Sequence, residues 1–147
     1  MNVSEAEVRG FLARGSDASD LLVQQLLYYS PEVVKLLLKE GATPNYFDPE
    51  LPGNTPLYIA VSHNLSPEVI KLLLEAGANP NQEHELGTLL YIAVRCELGP
   101  EGIRLLLEAG ADPNKAHPEH PDETPLSGAR DRGYSEIVEL LIEAGAK

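Results

Sequence analysis

The strongest constraint on this chain is a phrase that returns four times. Ser30-Pro31-Glu32-Val33-Val34-Lys35-Leu36-Leu37-Leu38-Lys39-Glu40-Gly41-Ala42 is nearly duplicated by Ser66-Pro67-Glu68-Val69-Ile70-Lys71-Leu72-Leu73-Leu74-Glu75-Ala76-Gly77-Ala78. Pro100-Glu101-Gly102-Ile103-Arg104-Leu105-Leu106-Leu107-Glu108-Ala109-Gly110-Ala111 and Ser135-Glu136-Ile137-Val138-Glu139-Leu140-Leu141-Ile142-Glu143-Ala144-Gly145-Ala146 follow. Successive glycines stand 36, 33 and 35 residues apart. A unit of that length cannot bury its own apolar face, so the period predicts a stack in which each repeat is covered by its neighbours.

Each copy reads as a helix. Ser30 and Ser66 suit N-caps, and Pro31 and Pro67 suit the first helical position, where a missing N–H costs nothing. The body is apolar nearly all round, which requires cover on more than one side. Gly41, Gly77, Gly110 and Gly145 are placed to close the helix in a left-handed conformation, and Pro44, Pro80 and Pro113 forbid its continuation. A shorter phrase precedes three of the helices: Thr55-Pro56-Leu57-Tyr58-Ile59-Ala60-Val61, Thr88-Leu89-Leu90-Tyr91-Ile92-Ala93-Val94 and Thr124-Pro125-Leu126-Ser127-Gly128-Ala129-Arg130. Its threonine is a cap, and Ala60, Ala93 and Ala129 allow close approach of a neighbour. Ser19-Asp20-Leu21-Leu22-Val23-Gln24-Gln25 holds the equivalent place in the first copy, at the same 13-residue spacing from Glu32 that separates Thr55 from Glu68.

A Thr-Pro-Leu inner helix, a Val/Ile-x-Leu-Leu-Leu outer helix and a Gly-Ala-(Asp/Asn)-Pro-Asn exit, at a period near 33, resemble the ankyrin repeat family over residues 18–147. The resemblance implies an all-α solenoid of helix-turn-helix repeats joined by β-turn fingers. It divides the chain into a degenerate cap at 1–17, whose residues 7–17 read as a worn outer helix ending at Gly15, and repeats at 18–45, 46–81, 82–114 and 115–147. One departure stands out. The family's His after Thr-Pro-Leu, which bridges adjacent repeats, is replaced by Tyr58, Tyr91 and Ser127. The last copy reaches Lys147 without a polar capping helix, which leaves its outer helix with one unstacked side; either this is a natural short end that Glu136, Glu139 and Glu143 keep soluble, or the chain is cut from something longer.

Composition sets the class of partner. There are 23 acidic residues against 11 basic ones, a formal net charge of −12. Phosphate recognition depends on clustered Lys and Arg, so the balance disfavours nucleic acid and anionic membranes and favours a protein partner with a basic surface. The acidity is not a tail: residues 1–45, 46–81, 82–114 and 115–147 carry −2, −3, −4 and −3. The length suits one compact unit, burying ~68–70% of its unfolded surface. A lone Cys96 offers no internal disulfide, no apolar run reaches the ~18 residues that span a bilayer, and the N-terminal residues lack an apolar leader, so the reading is a cytoplasmic, monomeric protein.

Catalytic constellations are not found. Ser62-His63 lacks an acid at a defined spacing. Cys96 occupies in its repeat the position that His63 holds in the preceding one, so the two are candidates to approach each other, but a thiol at a helix end is read as packing. His117-Pro118-Glu119-His120 brings two imidazoles and a carboxylate together without a third His or Cys at ligand spacing. No metal and no cofactor are expected, and the chain is read as a non-enzyme.

The fingers carry the remaining signal. Residues 46–54, 82–87 and 115–123 are the stretches whose length varies between copies, and in solenoids such variation maps to one face, often the binding face. Each carries −2, so together they hold half the net charge. Tyr46, Phe47 and Leu51 beside Asp48 and Glu50 have the composition of an interface anchor, unless they fold back over the inner helices. The resemblance implies a concave face lined by fingers and inner-helix ends. On this sequence that assigns partner contact to Tyr46, Phe47, Asp48, Glu50 and Leu51, to His63 and Asn64, to Gln82, Glu83, His84 and Glu85, to Arg95 and Glu97, and to His117, Glu119, His120, Asp122 and Arg130. Ser62, Cys96, Asp131 and Arg132 stand at the same inner-helix ends. The expected function is a protein–protein interaction module. The sharper alternative is a dedicated cytoplasmic inhibitor or immunity protein that sterically blocks a basic enzyme such as a nuclease toxin.

Overall fold

A computed structural model describes residues 3–50 and 53–147. In chain order the elements are α1 (Glu5–Ala13), α2 (Ala18–Gln25), a 3-10 turn (Leu26–Tyr28), α3 (Pro31–Lys39), α4 (Pro56–Ser62), α5 (Pro67–Glu75), β1 (Glu83–His84), β2 (Gly87–Thr88), α6 (Leu89–Arg95), α7 (Pro100–Glu108), α8 (Pro125–Asp131) and α9 (Ser135–Glu143). The short helices α2, α4, α6 and α8 pack in sequence as an inner row, and α1, α3, α5, α7 and α9 as an outer row. Each repeat thus contributes one helix to each layer, the arrangement expected of a helical solenoid.

The inner helices begin where their threonines predict. The hydroxyls of Thr55, Thr88 and Thr124 accept the backbone N–H of Tyr58, Tyr91 and Ser127, satisfying one orphan donor per helix. Outer-helix entries are less uniform. Ser30 accepts from the N–H of Val33, whereas Ser66 occupies the cap position without a side-chain bond, leaving Pro67 to fix the start of α5. The first repeat departs further. Asp17, not Ser19, caps α2, so the helix starts two residues ahead of its expected register and closes through the 3-10 turn. Ser19 is instead buried, and its hydroxyl accepts the N–H of Thr43 in the following turn. The N-terminal outer helix covers 5–13 in place of the expected 7–17; Ser4 and Glu7 form a capping box, and the helix packs on α3.

The core is a continuous wall between the two layers. Leu37, Ile70, Leu73, Ile103, Leu106 and Leu141 are fully buried from the outer row, and Ala60, Ala93 and Ala129 are fully buried where inner helices meet. Cover is not complete all round: Leu72 and Leu74 of α5 are only half-buried, beside its exposed Glu68, Lys71 and Glu75. In α9 only Ile137 and Leu141 are buried, and Ile142 is 48% exposed.

A second device joins the repeats. Asn45 Nδ2 donates to the carbonyl of Gly77 (2.9 Å), and its Oδ1 accepts the N–H of Asn79 (2.8 Å). Asn81 makes the same pair with Gly110 and Asp112 (2.8 and 2.7 Å), and Asn114 with Gly145 and Lys147 (2.9 and 3.0 Å). Each asparagine reaches one repeat ahead and occupies an acceptor left free past the next outer helix, where the glycine φ is +96° to +99°.

Candidate functional site

The fingers leave the asparagine line and return at the next inner-helix cap. In the second of them, β1 and β2 form a minimal antiparallel pair, His84 opposite Gly87 and Glu83 opposite Thr88. The flanking fingers close at the matching places, with the N–H of Asp48 donating to the carbonyl of Asn54 and that of His117 to Glu123. Neighbouring fingers are tied together. Lys115 Nζ lies 2.6 Å from Glu83 Oε1, and Gln82 accepts from the Thr55 hydroxyl (2.6 Å) while donating to the Gly53 carbonyl (3.0 Å).

Tyr58 and Tyr91, which replace the expected bridging imidazoles, bridge by other means. The Tyr58 ring stacks on His84 at 4.2 Å and 13°. Tyr91 meets His117 edge-on at 5.9 Å, donates its hydroxyl to Glu123 and receives Arg95, whose guanidinium carbon lies 5.7 Å from the ring centre. Burial, and then the Glu123 carboxylate, push the Tyr91 phenol above its usual value. The same bond from the Tyr91 hydroxyl holds Glu123 below the usual carboxylate range. Ser127 does not bridge; it completes a capping box with Thr124 and donates to the Asp122 carbonyl.

Two depressions result, one on each side of Leu86, which is 57% exposed on the second finger. One, of about 470 Å³, brings His63 and Ser62 from the end of α4 together with Tyr58, His84 and Glu85. The other, of about 450 Å³, brings Arg95 and Cys96 from the end of α6 together with His117, His120 and Glu123. Inner-helix ends and fingers therefore form a shared surface, and all four histidines of the chain line it.

The expected site residues divide by what already occupies them. Glu50, Glu85, Glu119, His120 and Asp122 are exposed, as are His63, Asn64 and Arg130. Phe47 is 55% exposed, whereas Tyr46 folds back: it is half-buried and its hydroxyl donates to Asp20 of α2. That carboxylate keeps the Tyr46 phenol above its usual value. Leu51 lies outside the described residues. Gln82, Glu83, His84 and His117 are engaged in contacts between repeats, and Glu97, at φ +59°, occupies a left-handed position.

His63 and Cys96 cap successive inner helices but fall in separate depressions. Ser62 Oγ lies 3.1 Å from His63 Nδ1, yet the same nitrogen lies 3.1 Å from the Ile59 carbonyl. In the tautomer that donates to that carbonyl, Nδ1 has no lone pair to accept the serine proton. His117 and His120 have ring centres 4.9 Å apart, and among the described residues no group of three His, Cys, Asp or Glu is placed to hold a metal ion.

Leu86 and Glu123 complete this surface and the asparagines complete the stack, although none of them was among the expected contacts. Leu86 is the apolar residue in an otherwise polar finger, and the asparagines recur at a fixed place after each helix-closing glycine; both signals were present in the sequence.

The family model for ankyrin repeats (3 copies) matches residues 21–117, about two thirds of the chain. The match begins in α2 and ends in the third finger. A search of curated proteins finds no match.

Proposed function

The chain belongs to the ankyrin repeat family, whose repeats are generally non-enzymatic protein–protein interaction modules, and from that premise we propose that its finger side is the binding face for a basic protein. The observation that supports this most is the exposure of Glu50, Glu83, Glu85, Glu119 and Asp122 along three consecutive fingers, next to exposed Phe47 and Leu86. Exposed acids speed encounter with a basic partner, and apolar residues among them supply the area that holds it.

The mechanism is steric. A stacked scaffold presents its contact groups with little ordering cost on binding and covers or tethers whatever it seats. In the sharper form of the reading, the partner is a basic enzyme in the same cytoplasm, and the chain acts as its inhibitor.

The test is capture of partners from the native lysate on immobilised protein, at low and high salt, beside a variant with Glu85, Glu119 and Asp122 changed to Lys. The expected partner is basic, its association rate falls steeply with salt, and the variant loses it. Binding that is indifferent to salt and to the three reversals sinks the proposal.

A further inference from the structure

The three fingers share a device at their tips. Asp48, His84 and His117 each stand three residues after the bridging asparagine of their repeat. Each turns its side chain back to accept the backbone N–H two residues on: Asp48 Oδ1 from Glu50 (2.8 Å), His84 Nδ1 from Leu86 (3.2 Å) and His117 Nδ1 from Glu119 (3.1 Å). The geometry is common and the acceptors differ. A carboxylate accepts over the whole physiological range. An imidazole nitrogen accepts only while it carries no proton, and an ordinary imidazole changes charge between about pH 5 and 8.

Neither ring has an easy alternative seat. His84 lies against Tyr58 of the preceding inner helix, and a Cβ added at Gly53 of the preceding finger would stand 2.9 Å from its Cδ2. His117 meets Tyr91 edge-on rather than stacked, and a Cβ at Gly87 would stand 3.1 Å from its Cδ2. Each imidazole is therefore wedged between the preceding repeat's tyrosine and glycine while its Nδ1 faces its own finger tip. Charged and titratable groups face both rings. Glu85 and His63 line the depression beside His84, and Glu83, paired with Lys115 of the next finger, precedes it on β1. Glu123, His120, Arg95 and Cys96 line the depression beside His117.

We propose that His84 and His117 are pH-sensitive latches: as neutral imidazoles they hold the second and third finger tips closed, and on protonation they release the N–H of Leu86 and Glu119, while the Asp48 finger stays shut. A proton on Nδ1 sets two donors against each other, so the tip must open or the ring must leave its wedge. Leu86 is the exposed apolar residue between the two depressions, so opening re-aims the group that both share. Protonating His84, His117 and His120 also takes the three fingers from −6 toward −3. The consequence, a weaker hold on a basic partner under mild acid, rests on the reading in the previous section; the latch itself does not.

The test follows backbone amides and imidazole Cε1–H signals of the full chain by NMR between about pH 5 and 8. The Leu86 and Glu119 amides are expected to move upfield with the same midpoints as the rings of His84 and His117, and the Glu50 amide to stay still. The double variant His84→Asp with His117→Asp copies the first finger's acceptor and is expected to flatten both responses. Rings that titrate without moving these amides, rings that stay neutral to pH 5, or amide shifts that persist in the double variant each overturn the latch. Partner capture has no part in the measurement, so a failure of the binding reading would leave its result untouched.

Discussion

Two sides of the same stack join their repeats in opposite ways. On the outer-helix side the connection is uniform: Asn45, Asn81 and Asn114 make the same pair of bonds to the next repeat, all between 2.7 and 3.0 Å. On the finger side the junctions differ: Tyr46 donates to Asp20, Tyr58 stacks on His84, and Tyr91 meets His117 edge-on and donates to Glu123, with Lys115 paired to Glu83. The uniform side sets the geometry, so the other side is free to vary without loss of the stack. Recognition is expected where variation is tolerated.

The comparison would break most visibly through the core both sides depend on. Leu73 is fully buried, and Leu73→Ala is expected to cost about 2–5 kcal/mol, read by chemical denaturation. Leu86→Ala removes the same atoms from an exposed tip and is expected to stay within about 0.5 kcal/mol. Equal losses would mean that the finger is part of the packed structure.

Asn81→Ala tests the uniform side. It deletes one donor and one acceptor bond to the next repeat and is expected to cost about 1–3 kcal/mol, with Asn45→Ala close to it. A negligible loss at both sites would reduce the asparagine line to a consequence of stacking.

Much of this contrast was legible in the sequence, and its limits are physical. The capping threonines, the closing glycines and the leucine rows depend on contacts within one repeat, so their recurrence revealed them. Asp17 as the cap of α2 was hidden because Ser19 matches Thr55 in spacing; what Ser19 retains is the bond to the following turn, which spacing alone does not distinguish from a cap. Tyr46 was ambiguous for a similar reason. An aromatic beside acids suits an interface as well as a hydroxyl partner, and only the fold brings Asp20 within reach.

Glu97 sharpens the comparison further, because it holds a left-handed φ of +59° where the next repeat has Gly133 at +69°. Such a conformation costs a non-glycine residue about 1–2 kcal/mol, partly offset by the greater chain entropy of glycine. Glu97→Gly is therefore expected to raise stability by about 0.5–1 kcal/mol. Reduced partner binding in the stabilised variant would mark Glu97 as strain retained for contact.

The smallest expected effect concerns the junction between Tyr91 and Glu123. The Tyr91 hydroxyl holds Glu123 below the usual carboxylate range, with smaller help from His120, His117 and Arg95. A carboxylate lowered in the folded state adds stability that is present above its unfolded value and is lost as pH falls through the folded one. Glu123→Gln should therefore be less stable than the parent at neutral pH, and the two should converge in acid below the ordinary carboxylate range. Tyr91→Phe should flatten the same slope, and the double variant should add little to either. This window lies below the one in which an ordinary imidazole titrates, so denaturation curves taken across both separate the two finger devices. A Glu123→Gln curve parallel to the parent at every pH would mean that the Tyr91 bond orders the finger without stabilising the fold.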